Sequence, residues 1–269
     1  MWRVRAEHGP DVAVRLPRRP GAAAGVLAES AMLQQLEQMP IGPAVRTPRV
    51  RHLGEASDVF PHRWMVLEWI DGTDAWTLRR ELDGRPLDDA LALDLAAAVT
   101  TIRTIDATNA EQRTPGSRGG PLLPLLEMLD AWLDSPEFGA ADLIDVQAIR
   151  RLADEALEVV DEPVIEGLVH GDLIPGNLLV DDGRLTAIID WGVAGRGDTA
   201  QDLAPAWAVL SASERSIFKE AVGVSDAAWI RGRTFELEHA VGGVLYYLPK
   251  QHPLGDVMAR TLARILATP

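Results

Sequence analysis

The chain has no cysteine, so neither a disulfide nor a thiolate metal site can hold it together. Lysine is nearly missing: Lys219 and Lys250 are the only two, and any cation needed earlier in the chain must come from arginine. No apolar run reaches the about 20 residues of a spanning helix, and the opening MWRVRAEHGPDV has no apolar signal core, so a cytoplasmic protein is expected. Positive charge is also scarce. Against 40 Asp and Glu stand 26 Lys and Arg, and the net charge of −14 argues against nucleic acid and anionic membranes as partners and for a cationic one. The excess is uneven, with twelve acidic residues from Glu127 to Glu166 against Arg150 and Arg151 alone. That stretch is either a solvated helical face or an acidic wall for a substrate.

What is present is an ordinary soluble composition. With 269 residues, 47% hydrophobic and 25% charged, the chain can build one large or two modest cores, and it shows no internal repeat or long linker. The informative stretch runs from Leu168 to Gly192, LVHGDLIPGNLLVDDGRLTAIIDWG. Pro175 and Gly176 cannot continue a helix, so His170 to Asn177 is expected as a rigid loop presenting Asp172 and Asn177 side by side. Two short apolar runs, Asn177 to Val180 and Leu185 to Asp190, flank Asp182-Gly183 and predict a β-hairpin. Folding that hairpin returns Asp190 to Asn177, where an amide oxygen and a carboxylate can converge on one Mg2+ ion, which takes few protein ligands and the rest from phosphates and water. Asp172 is then left to accept a proton from an attacking hydroxyl. Phosphoryl transfer needs mainly positioning and charge neutralisation, and that is what this layout supplies.

His170-Gly171-Asp172 with Asn177, followed by Asp190-Trp191-Gly192, resembles the catalytic loop and metal-binding triplet of the aminoglycoside phosphotransferase family, small-molecule kinases with the protein-kinase fold. Protein kinases have Arg after the His and Phe between the Asp and Gly, where this chain has Gly171 and Trp191. Only eleven residues separate Asp190 from Asp202, too few for a regulatory activation loop, so a small-molecule acceptor is expected over a protein. His170 is read as a brace for the loop, Asp202 as a buried anchor for its backbone, and Asp198 as a helix cap.

The resemblance extends to both ends of the chain and is strongest in residues 168 to 205. Trp2 to Ala6 and Val12 to Leu16 read as paired strands around His8-Gly9-Pro10. Val12-Ala13-Val14-Arg15 is similar to the kinase strand that carries a phosphate-binding lysine, with Arg15 in the lysine's place. The helix predicted over Ala22 to Gln38 offers Glu29 as its ion-pair partner. Trp64 to Ile70 reads as the strand leading to the interlobe hinge, where the resemblance implies that backbone groups of Glu68 and Ile70 hold adenine. The family's Gly-rich phosphate-covering hairpin would precede Trp2, so a lobe without its first strand, or a start other than Met1, is expected. Helical patterns follow at Ala75 to Leu82, Ala90 to Ile105, Leu122 to Leu133 and Val146 to Val160, with breaks at Gly84 to Pro86 and Pro115 to Pro121. Further helices are predicted over Leu203 to Leu210, Ser213 to Ala221, Asp226 to Leu248 and Pro253 to Ala267. Trp207 and Trp229 are read as core. Glu236 and Glu238 lie about 200° apart around one helix, so at most one can meet a substrate amine.

These readings predict an α+β, two-lobed protein-kinase-like fold. A nucleotide-binding lobe would span residues 1–70, and a helical lobe with the catalytic loop and acceptor site residues 71–269. The expected activity is ATP- and Mg2+-dependent transfer of the γ-phosphate to a hydroxyl of an aminoglycoside-like or other cationic acceptor, by a monomer or homodimer. Asp172 would be the catalytic residue, Asn177 and Asp190 the metal ligands, and Arg15 with Glu29 the phosphate-side pair. A metabolite or macrolide kinase of the same fold, or a nucleotide-binding pseudoenzyme, are the alternatives.

Overall fold

The turn at His8-Gly9-Pro10, with Gly9 at φ +106°, folds β1 (Trp2–Val4) back on β2 (Val12–Arg15), and Trp2 lies opposite Val14. The computed structural model describes residues 1–18, 20–42, 44–81 and 89–267. After α1 (Pro20–Gln38) come β3 (Val50–Gly54) and β4 (Trp64–Glu68), giving a four-stranded antiparallel sheet in the order β1-β2-β4-β3. Alternation decides which face of the sheet is covered. Ala13 of β2 and Met65 and Leu67 of β4 are buried, as are Val26, Leu33 and Leu36 of α1, which packs against β3 and β4.

Past this sheet the chain turns helical. The short strand β5 (Thr73–Asp74) leads into α2 (Ala75–Glu81), whose first turn Asp74 caps through Thr77 N–H at 2.9 Å and Thr77 Oγ1 at 2.8 Å. The predicted break at Gly84 to Pro86, and Leu82 before it, lie outside the described residues. Next come α3 (Asp89–Ile102), α4 (Leu122–Asp134), α5 (Ala140–Leu143) and α6 (Val146–Leu157), the last capped by Asp145. Leu91, Leu95, Val99 and Ile102 on α3, and Leu122, Leu125, Leu126, Leu129 and Leu133 on α4, recur at three- and four-residue intervals and are buried.

Strands β6 (Glu166–Val169), β7 (Leu178–Asp181), β8 (Arg184–Ile188) and β9 (Gly195–Asp198) form two small sheets, β5-β7-β8 and β6-β9. The helices α7 (Pro205–Ala208), α8 (Ala212–Val222), α9 (Asp226–Tyr247) and α10 (Pro253–Leu266) close the larger lobe. Helix α8 begins with a full capping box between Ser211 and Glu214. Helix α9 runs through the centre of this lobe, packed against α4, α6 and α10. It is buried on most sides, and Gly243 leaves room for α10, since a Cβ there would sit 2.3 Å from Met258 Cγ. As expected, Trp207 is fully buried; its ring meets that of Trp229 at a tilt of 45°, with centroids 4.7 Å apart. Among the described residues no helix is long and apolar enough to cross a membrane.

The fold is therefore α+β, a small sheet lobe against a larger helical one. The pair β6-β9 is not among the strands that local sequence pattern predicts. Glycine is a poor strand former, but Gly195 and Gly197 lie under Arg113, where a Cβ on Gly195 would come within 2.5 Å of its Nε.

Candidate active site

The loop between β6 and β7 is held from below by one carboxylate. Buried Asp202 accepts the His170 N–H at 2.6 Å and the Gly171 N–H at 2.9 Å. Burial pushes its pKa up to about 6, opposed by those two N–H groups and by Arg113. His170 is fully buried and its pKa is lowered to about 4, chiefly by burial. The neutral ring accepts the Asp172 N–H at Nδ1 (3.2 Å), which leaves Nε2 to donate to the Ile189 carbonyl, also at 3.2 Å. Its edge meets Trp191, with ring centroids 4.5 Å apart. His170 thus braces the loop as expected. Gly171 has φ +78°, and a Cβ there would lie 3.1 Å from the Val193 carbonyl, so the arginine that protein kinases carry does not fit this backbone.

The hairpin forms as predicted. Asp182 and Gly183, at φ +44° and +72°, make a turn in which both central residues are left-handed. At the open end the Ile189 N–H donates to the Asn177 carbonyl at 3.0 Å, which brings Asp190 beside Asn177. Asn177 Nδ2 donates to the Asp172 carbonyl at 2.9 Å and to Asp172 Oδ2 at 3.0 Å, so its amide oxygen is turned away from Asp172. Asp190 sits at φ +63°, a strained backbone for a residue with a side chain, and its carboxylate is 44% exposed.

Arg15 and Glu29 also meet, and Arg15 makes a second contact. Arg15 Nε lies 3.0 Å from Glu29 Oε2, and its Nη1 donates to Glu29 Oε1 at 3.2 Å and to Asp190 Oδ1 at 2.9 Å. The guanidinium lies over Gly192, where a Cβ would be 2.4 Å from Nη2. Burial raises the Glu29 pKa to about 7, with Arg15 pulling it down and Asp190 adding to the rise. A cavity of about 350 Å³ opens beside these groups, lined by Ala13, Leu67, Glu68, Ile70, Asn177 and Asp190 among others. The Glu68 side chain is engaged by Arg46 and lies 3.6 Å from Arg51, and its N–H donates to the Arg49 carbonyl at 2.8 Å.

On the other side of Asp172 lies a second cavity of about 500 Å³. Trp132, Phe138, Ile174, Leu245, Tyr246, Tyr247, Leu254 and Met258 give it apolar and aromatic walls, and Arg118, Asp172, Glu238 and His239 supply its charged and polar groups. Burial raises the Glu238 pKa, with His239 and Arg118 pulling it down. Of the α9 pair only Glu238 lines the cavity; Glu236 is buried, with Oε2 3.6 Å from His239 Nδ1. Arg118 was not among the residues expected here. It pairs with Asp172 Oδ1 and places Nη2 2.8 Å from His239 Nε2. Its only sequence signal is a lone cation in the Gly- and Pro-rich stretch TPGSRGG. The acidic-wall reading of residues 127–166 is corrected. All twelve carboxylates are exposed and none lines this cavity, because their helices turn apolar faces inward.

The sequence profile of the phosphotransferase enzyme family matches residues 1–237. Hygromycin-B 4-O-kinase of Escherichia coli is 26% identical over 167 residues, 57% of this chain and 49% of the kinase, so the match spans about half the length of that curated relative. Among solved structures, the apoenzyme of a macrolide 2′-phosphotransferase from Brachybacterium faecium superposes with a TM-score of 0.63 at 21% identity, covering 97% of this chain and 86% of that one. The GDP and kanamycin complex of APH(2″)-IIia gives a TM-score of 0.69 at 18% identity, over 94% and 85% of the two chains. At such identities the structural likeness is one of fold.

Proposed function

The chain belongs to the phosphotransferase enzyme family and has its protein-kinase-like fold, and from that premise we propose that it transfers the γ-phosphoryl group of ATP to a hydroxyl of a small molecule. One observation carries the reading. Asp172 and Asn177, joined at 3.0 Å, form the partition between two cavities, with Asn177 and Asp190 facing one and Asp172 the other. A donor nucleotide in the first and an acceptor in the second would meet at Asp172.

The donor set suits Mg2+. Asn177 offers an amide oxygen and Asp190 a carboxylate, both hard ligands, and among the described residues no cluster of three or more His, Cys, Asp or Glu could hold a metal unaided. That is the protein's share where phosphates supply the other oxygens. When bound there, Mg2+ would neutralise phosphate charge. In this reading Arg15, steadied by Glu29, contacts the α- and β-phosphates. Backbone groups of Glu68 and Ile70 hold the adenine, and the lobes divide at residues 1–70 and 71–269. Asp172 orients the acceptor hydroxyl. As the acceptor oxygen bonds phosphorus and the β,γ-bridging oxygen leaves with its electron pair, Asp172 takes the hydroxyl proton.

The acceptor-side walls favour a particular kind of molecule. They offer one carboxylate besides Asp172, Glu238, within a mostly apolar and aromatic lining. A polyamine acceptor would need several carboxylates, whereas an amphiphilic molecule with one amine near its reactive hydroxyl needs one. The test is nucleoside diphosphate release from Mg-ATP, and in parallel Mg-GTP, with macrolides, aminoglycosides and simple amino alcohols as acceptors. Acceptor-dependent release is expected, greatest with macrolides. Mg-nucleotide binding without acceptor-dependent release from any of the three classes would contradict the reading.

A further inference from the structure

Arg118 reaches the catalytic loop from a turn built to hold it. Ser117 Oγ donates to the Thr114 carbonyl at 2.6 Å and accepts the Thr114 N–H at 2.9 Å. Gly120 N–H closes the turn on the Ser117 carbonyl at 2.9 Å, and the Gly119 carbonyl accepts the Asp198 N–H at 2.8 Å, which ties the turn to β9. A Cβ on Gly120 would fall 2.3 Å from the Thr114 carbonyl, so the turn has little room to open.

From this base the Arg118 side chain spans two other segments. Nη1 donates to Asp172 Oδ1 and, at 3.2 Å, to the Gly171 carbonyl, while Nη2 lies 2.8 Å from His239 Nε2. A guanidinium only donates, so His239 must present a lone pair at Nε2 and carry its proton on Nδ1, the nitrogen that faces Glu236 Oε2 at 3.6 Å. Asp172 is thereby gripped at both oxygens, Oδ1 by Arg118 and Oδ2 by Asn177 at 3.0 Å. Each oxygen keeps a second lone pair, so the grip fixes the carboxylate plane and leaves it able to receive a hydroxyl. The pair stays partly open, with 33% of the Arg118 and 19% of the Asp172 side chain exposed, and Arg118, Asp172 and His239 all line the acceptor cavity. A contact that served stability alone has no need to sit at the mouth of the site.

We propose that Arg118, held by His239, is a positioning residue that fixes Asp172 in its reactive orientation. The inference rests on the phosphoryl-transfer reading above. It also gives α9 a share in the reaction, since His239 acts on Asp172 only through Arg118. Misplacing a reacting group by about 1 Å can cost on the order of 100-fold in rate, so the effect belongs in kcat.

The experiment is steady-state kinetics with Mg-ATP and the best acceptor on Arg118→Ala, Arg118→Lys, His239→Leu, His239→Gln and the double variant Arg118→Ala/His239→Leu, with thermal midpoints measured alongside. Arg118→Ala is expected to lower kcat about 10- to 100-fold with little change in the KM for ATP. Arg118→Lys, a donor without the planar fork, should recover part of that loss. His239→Leu should cost less than Arg118→Ala, and His239→Gln, which keeps an acceptor for Nη2, less again. The double variant should be no slower than Arg118→Ala, because the two residues act in series. Losses that multiply in the double variant, or an Arg118→Ala kcat within about twofold of the parent, would overturn the proposal. If Arg118→Ala does not fold, the order of His239→Leu and His239→Gln decides: equal kcat values count against it. Turnover equal in the parent and in Asp172→Asn would instead overturn the reading on which the inference rests.

Discussion

The cavity beside Asn177 and Asp190 and the cavity beside Arg118 and Glu238 share one wall, the Asp172–Asn177 pair, yet they differ in chemistry. On the side proposed for the nucleotide the charged groups are already paired: Arg15 lies between Glu29 and Asp190, so a phosphate bound there would meet a cation whose position is set. On the side proposed for the acceptor the walls are mostly apolar and aromatic, with Arg118, Glu238 and His239 as the polar groups besides Asp172. The first arrangement suits recognition of charge that every donor nucleotide carries. The second suits selection by shape and by one amine. In the proposed reaction one rigid loop serves a constant chemistry while the far wall sets which molecule receives the phosphate.

Because Asp172 lines the acceptor cavity and in the proposed reaction receives the hydroxyl proton, Asp172→Asn should have the largest effect, a loss of about 1,000-fold in kcat. Nucleotide affinity, read by isothermal titration with Mg-ATP, should remain within about threefold of the parent. A variant that also lost the nucleotide would break the division between the cavities. Asp202→Ala should come next. It strands the buried N–H groups of His170 and Gly171, at a cost of about 2–3 kcal/mol, read as a fall of roughly 5–10 °C in the thermal midpoint. Activity on both sides should suffer together, since the loop they share is what loosens.

The smaller effects should be one-sided. Glu238→Gln is expected to raise the acceptor KM about tenfold and leave the KM for ATP unchanged; an equal rise in both would show that the two walls are not separable. Glu29→Gln probes the other side through pH. The Glu29 pKa is raised by burial from 4.5 to about 7. Its contribution to stability is therefore complete below pH 4.5 and is lost as the pH rises through about 7. Glutamine has no such loss, so the variant's midpoint relative to the parent should improve between pH 5 and pH 8, by about 1 kcal/mol in stability. A difference that is flat or opposite in sign would mean that Arg15 compensates the buried charge in full.

The same two regions differ in how far the sequence reveals them. His170 to Asp190 is contiguous, and its loop and hairpin follow from proline, glycine and short apolar runs, so local pattern alone brings Asp172, Asn177 and Asp190 together. Arg15 and Glu29 are legible through the resemblance of Val12–Arg15, followed by a helix, to the kinase strand that carries a phosphate-binding lysine. The acceptor side draws on the turn at 114–120, helix α4, the C-terminal half of α9 and the start of α10, and no local rule brings Arg118 to His239. Helix α9 hides its working face because it is buried nearly all round, so periodicity could exclude a shared role for Glu236 and Glu238 but could not pick Glu238. Strand β9 escapes the sequence pattern because GRGD lacks strand formers, its glycines answering to the bulk of Arg113 rather than to local propensity.

The central claim, that phosphoryl transfer takes place across Asp172 from one cavity to the other, is tested most directly by 31P NMR of the products formed from Mg-ATP and an acceptor. The account predicts a new phosphomonoester resonance on the acceptor, growing in step with ADP and absent with Asp172→Asn. ADP accompanied only by inorganic phosphate, or the same ester formed at the same rate by the variant, would contradict it.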